Sequence, residues 1–85
     1  MKKTPALTKA TQLTWLHDYT VAIEFNDGTA GEVNLEPLLV GEAVEYLRDP
    51  AKFQQLTLGP TGQLEWPDDM QFSARNARRL LLEQR

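Results

Sequence analysis

Eighty-five residues leave room for one small domain, and 41% hydrophobic with 25% charged residues excludes a disordered or low-complexity chain. The absence of cysteine excludes a disulfide framework, a thiolate zinc site and a thiol nucleophile. Residues 1–9 carry three lysines and no acid, residues 10–73 carry eleven acids against Arg48 and Lys52, and residues 74–85 carry four arginines against Glu83, so the net −3 divides into +3, −9 and +3.

Residues 1–9 contain Pro5 and show no periodicity, which predicts a loose arm with solvated lysines ahead of a single domain over residues 10–85. Residues 10–16 are rich in β-branched and aromatic side chains and predict a strand, followed by the turn-forming His17-Asp18. From Tyr19 the residues alternate, with Tyr19, Val21, Ile23 and Phe25 on one side and Thr20, Ala22 and Glu24 on the other. A period of two is the signature of a half-buried strand. Asn26-Asp27-Gly28 supplies residues that tolerate the positive φ of a hairpin, and residues 29–35 return as a third strand.

Glu36-Pro37-Leu38-Leu39 predicts a short helical turn, since proline fits a first turn. After Gly41, a short helix is expected to present Ala43, Val44 and Leu47 on one face with Tyr46 beside them, ended by Asp49-Pro50. A further helical turn carries Phe53. Residues 56–58 and 63–66 predict a second hairpin around Gly59-Pro60-Thr61-Gly62, and Pro67-Asp68-Asp69 breaks the pattern. Ser73 stands where an N-cap belongs, ahead of a helix from Ala74 toward Arg85. The expectation is an α+β fold of order β-β-β-α-β-β-α, its antiparallel sheet covered on one face by the helix over residues 43–47 and the terminal helix.

No window approaches the run of about 18 apolar residues that spans a membrane, and the opening MKKTPALTKA holds no apolar stretch long enough for a signal peptide. A cytoplasmic protein without a membrane partner is expected. Because so short a chain buries a low fraction of its surface, a homodimer is expected as well.

The landmarks Phe25-Asn26-Asp27-Gly28, Leu35-Glu36-Pro37-Leu38, Tyr46-Leu47-Arg48-Asp49-Pro50 with Phe53, and Gly62 to Trp66-Pro67 together resemble the small bacterial proteins grouped as the domain-of-unknown-function family twenty-four forty-two. The resemblance covers residues 13–73 and rests on the order of the landmarks. It implies a compact α+β domain and brings no catalytic motif. Some members carry an added helix-turn-helix domain, and others are encoded beside short proteins in a toxin–antitoxin-like arrangement, which implies partner binding. This chain stops at Arg85 after one terminal helix, so no second helix is expected to enter a major groove.

Among candidate sites, His17 beside Asp18 is the one histidine–carboxylate pair available for proton transfer. Adjacent turn residues are expected to point apart, and the only serine, Ser73, is the expected cap, so no triad is expected. Asp68 and Asp69 with Glu65 offer oxygens to a hard cation but lack the spacing of a calcium loop, and read as an acidic approach to a helix N-terminus that also offers Arg75 a partner. Neither glycine-containing turn has the lysine or the spacing of a phosphate loop. Trp15 and Trp66, both on strands, read as core or core-edge anchors.

The terminal helix is the most informative surface. At 100° per residue Ala74, Ala77, Leu80 and Leu81 form one arc, and Arg75, Arg78, Arg79 and Arg85 the adjoining one, with Leu82 inside the arginine arc. Solvated arginines with one exposed leucine need no function; the alternative makes Arg75, Arg78, Arg79 and Leu82 the candidate protein-binding residues, suited to an acidic partner protein such as the product of a neighbouring gene. The expected function is a non-enzymatic interaction module, antitoxin-like or regulatory, with no cofactor or metal. A nucleic-acid-associated regulator using the basic helix is the alternative, and a small hydrolase using His17 with carboxylates ranks below both. The acidic body opposes a phosphate backbone everywhere but at the chain ends, so the isolated chain is not expected to bind nucleic acid.

Overall fold

The computed structural model describes residues 8–67 and 69–84. Most of the expected arm, together with Asp68 and Arg85, lies outside them. The elements are β1 (Ala10–His17), β2 (Thr20–Phe25) and β3 (Ala30–Asn34), 3₁₀ segments Glu36–Leu38 and Glu42–Arg48, the one-turn helix α1 (Pro50–Phe53), β4 (Thr57–Leu58), β5 (Leu64–Trp66), β6 (Met70–Phe72) and α2 (Ala74–Gln84). Two three-stranded antiparallel sheets result, β1-β2-β3 and β4-β5-β6, which makes the chain a small α+β domain.

The alternation over β2 does what its period dictates. Val21, Ile23 and Phe25 are buried, and Tyr19 packs against the same core from the turn ahead of the strand. Their cross-strand partners continue that face: Trp15 and Leu13 on β1, Val33 and Gly31 on β3. The β2–β3 loop closes with Gly28 at φ +88°, its N–H donating to the Phe25 carbonyl while the Phe25 N–H donates to Thr29. This is a turn followed by one left-handed glycine, so of Asn26, Asp27 and Gly28 only the glycine takes positive φ.

The segment after Gly41 is a 3₁₀ helix, and this changes its buried face. With three residues per turn, positions i and i+3 eclipse one another. Val44 and Leu47 are accordingly buried, whereas Ala43, expected beside them from α-helical spacing, is exposed. Asp49 ends the segment and caps the next, its carboxylate accepting from the Ala51 N–H at 3.0 Å with Pro50 in the first turn of α1. That cap seats Phe53 in the core.

A chain of aromatic rings crosses the molecule from Tyr19 through Phe53 and Trp66 to Phe72, with centroid separations of 5.2, 5.6 and 5.4 Å. Its members come from the first sheet's leading turn, α1, β5 and β6, so the rings bind both sheets into one core. The polar ends of the rings are satisfied. The Trp66 indole N–H donates to the Phe53 carbonyl at 2.8 Å, and the Tyr19 hydroxyl donates to the Arg48 carbonyl. Leu64 and Leu47 fill the space around them.

Strand β6 adds an element to the expected order, with Met70 opposite Trp66 and Phe72 opposite Leu64. Met70-Gln71-Phe72 does alternate, but over three residues, too few for the period to stand out beside Pro67 and Asp69. The chain then enters α2, which lies on the first sheet with Leu81 over Gly31 of β3. At its far end the Gln84 side-chain amide accepts from the Asn34 N–H and donates to the Asn34 carbonyl, both at 2.8 Å. No helix among the described residues is long and apolar enough to cross a membrane.

Candidate functional site

Ser73 caps α2 as its position predicts, its hydroxyl accepting from the Asn76 N–H at 3.2 Å. The helical period then buries Ala74, Ala77, Leu80 and Leu81 and turns the remaining side chains outward. Arg75 lies at the wrong end of this helix for the helix's own stability. Arg75 sits in the first turn, where free N–H groups already carry a partial positive charge, and no acid offsets it there. A cation at a helix N-terminus costs a few tenths of a kcal/mol, so Arg75 does not stabilise the helix that carries it.

The outward side of α2 borders an open groove of about 570 Å³ lined by Thr8, Arg75, Asn76, Arg78, Arg79 and Leu82. All four sequence-predicted binding residues thus meet on one surface, joined by Thr8 from the chain ahead of β1. Their roles differ. Arg78 is half-buried and committed: Nε and a terminal nitrogen reach Asp27 Oδ2 at 3.0 and 2.7 Å, and the guanidinium also approaches the Thr29 hydroxyl at 3.4 Å. Arg75 and Arg79 are exposed, with no carboxylate among the described residues at ion-pair distance. Leu82 is 41% exposed beside them. Two uncommitted guanidinium groups therefore share this groove with one apolar side chain, and Arg78 ties the helix to the β2–β3 turn below.

The Asp27 carboxyl is held below its ordinary range, first because the Thr29 N–H donates to it, then through the Thr29 hydroxyl and the Arg78 guanidinium. Because the folded value is depressed, the stabilisation from this group is complete above the ordinary carboxylate range and is lost as pH falls through the lowered value. Thermal melts of wild type and Asp27→Asn from pH 7 to pH 2 are expected to differ at neutral pH and to converge in acid. A gap independent of pH would contradict this role.

His17 and Asp18 correct one expectation. The ring Nδ1 lies 3.4 Å from Asp18 Oδ2 instead of pointing away, because Asp18 takes a left-handed conformation at φ +46° that curls the turn. Both side chains are exposed and line a cavity of about 330 Å³ together with Tyr19, Thr20, Asn34, Glu36 and Pro50, with no serine among them. Ser73 is occupied as the α2 cap.

Asp69 is exposed at φ +61°, while its expected companion Asp68 falls outside the described residues. Among the described residues no three of His, Asp and Glu converge as metal ligands. Both glycine-containing segments are turns, the second closed by the Gly62 N–H donating to Gly59. Trp66 is a core residue, and Trp15 lies at the sheet edge, 36% exposed, with its indole N–H donating to the Asp18 carbonyl.

The periodicity of residues 74–85 marks the basic face of α2, but nothing local marks the partner of Arg78. Asp27 is 51 residues away and reads from sequence only as a turn residue. Thr8 has no sequence signal at all. A family model described as "Protein of unknown function (DUF2442)" matches residues 10–76, more than half of the chain. No curated protein and no solved structure matches it.

Proposed function

The chain belongs to the DUF2442 family of proteins of unknown function, and within it we propose that this chain is a non-catalytic protein-interaction module that takes an acidic, partly apolar segment of a partner protein in the α2 groove. One observation carries this reading: Arg75 and Arg79, uncommitted within the described residues, line with the exposed Leu82 a groove of about 570 Å³ in a chain whose central segment is acidic. Arginine beside an apolar anchor is a favoured interface pair, since the guanidinium grips carboxylates through two N–H bonds and the leucine contributes desolvated area. The exposed Leu82 favours a protein segment over a phosphate backbone, which has no apolar group to set against it. An antitoxin-like or regulatory role follows if the partner is an effector encoded beside this chain.

The test is capture from extract of the native host, with the tagged wild-type chain and an Arg75→Ala/Arg79→Ala/Leu82→Ala chain run side by side. A stoichiometric protein is expected on the wild type and lost from the variant. Equal retention by both chains, or no stoichiometric protein on either, would contradict the proposal. Tight binding of a defined duplex, weakening with salt by about 0.9 logarithmic units per phosphate contact, would transfer the groove to nucleic acid.

A further inference from the structure

Among the described residues, the two edges of the first sheet are guarded unequally. On β3 the Gln84 amide occupies both backbone groups of Asn34, and Glu32 sets a charge along the same strand. On β1 the leading end is covered, the Ala10 N–H donating to the Gly62 carbonyl at 2.8 Å. Among the described residues, no backbone hydrogen bond of this kind reaches residues 13–17.

The direction of the backbone groups follows from the ladder. The Phe25 N–H bonds to Thr29 and the Tyr19 carbonyl accepts from Leu35, so the odd residues of β2 face β3. Thr20, Ala22 and Glu24 must then face β1, where they meet His17, Thr14 and Gln12. Leu13 and Trp15, lying between those partners, turn their own N–H and C=O groups toward the open edge.

Edge strands in monomeric proteins are normally guarded by charge, proline or a covering element. Here β1 contains no Asp, Glu, Lys or Arg over its eight residues, although β2 carries Glu24 and β3 carries Glu32. Trp15 and Leu16 are each 36% exposed on it.

We propose that β1 pairs antiparallel with β1 of a second copy of this chain, joining the two first sheets into one six-stranded sheet. Charge selects the occupant. Two bodies that are each acidic over residues 10–73 repel one another, and the neutral strand is where they can approach, whereas a charged foreign strand would find no counter-charge along it. The register follows from the outward groups. A two-fold axis at Thr14 sets Leu13 of each copy opposite Trp15 of the other, which pairs the outward N–H and C=O groups in two hydrogen-bonded pairs and extends the inner apolar face across the junction. This surface is separate from the α2 groove and does not depend on what that groove binds.

The register places Thr14, whose side chain is exposed, opposite its own copy. Sedimentation of the full chain from about 10 μM to 1 mM at pH 8 is expected to show reversible conversion of monomer to dimer, in the range of small interfaces. Thr14→Lys and Thr14→Glu, checked for wild-type circular dichroism, are each expected to weaken the dimer at least tenfold by setting like charges on the axis. An equimolar mixture of the two should restore it. Amide exchange at Leu13 and Trp15 should slow with concentration in the wild type only. A wild type monomeric throughout would overturn the proposal, as would single variants that associate like the wild type or a mixture that fails to recover. Uptake of a different protein along β1 by an otherwise monomeric chain would overturn the choice of a second copy.

Discussion

Phe53→Ala is expected to cost about 3–5 kcal/mol, the usual range for emptying a buried phenylalanine site. The magnitude matters because a chain of 85 residues has a total stability of about 4–13 kcal/mol at the usual yield per residue. Phe53 is fully buried and is the middle link between Tyr19 and Trp66. Its own carbonyl accepts the Trp66 indole N–H. Truncation leaves a cavity at the junction of α1, β5 and the first sheet, and α1, a single turn, has no helical length with which to hold its place. Urea denaturation followed by circular dichroism should show a much lower midpoint, or a chain largely unfolded in buffer, with Phe53→Leu in between. A midpoint within error of wild type would contradict the assignment of Phe53 as the centre of the core.

Gly62→Ala is expected to cost about 2–4 kcal/mol from two sources that separate experimentally. The residue lies at φ +86°, where a side chain costs about 1–2 kcal/mol by itself. A Cβ there would also stand 2.5 Å from Lys9 Cβ and 3.0 Å from Lys9 Cα, closer than carbon atoms approach. Because the Gly62 carbonyl accepts from Ala10, relief of that clash pulls the β4–β5 turn away from the start of β1 and breaks a bond between the two sheets. Gly28→Ala supplies the comparison. It has nearly the same φ, +88°, but open space at the Cβ position, so it should lose only the conformational part. Equal losses at the two glycines would contradict the steric contact.

Much of this architecture is legible because its signals are local. The β2 alternation, the Asn26-Asp27-Gly28 turn, the Ser73 cap and the apolar arc of α2 each specify structure within a few residues, and each is found where that physics places it. The signals that fail to carry are too short or too distant. Three alternating residues of β6 hold too little period, and the 3₁₀ winding over Glu42–Arg48 that exposes Ala43 depends on its packing and not on its composition.

The candidate site divides in the same way. The helical period alone gathers Arg75, Arg78, Arg79 and Leu82 onto one side of α2, yet only the folded chain shows that Arg78 is held by Asp27 and Thr29 while Arg75 and Arg79 stand over the groove. Likewise, nothing in the composition of β1 says that it forms an edge. That follows from the sheet order.

The functional account rests on the α2 groove, and its most direct test is a calorimetric titration of the captured partner into wild type, Leu82→Ala and Arg75→Ala/Arg79→Ala chains at low and moderate salt. Removing a desolvated anchor typically costs more than about 1 kcal/mol, and loss of about 1.4 kcal/mol is a tenfold change in affinity. Leu82→Ala should therefore bind at least about fivefold more weakly at both salt concentrations, since apolar burial is not screened, while the arginine pair should lose most of its contribution as salt rises. Unchanged affinity in both variants at both salt concentrations would contradict the assignment of this groove as the partner-binding surface.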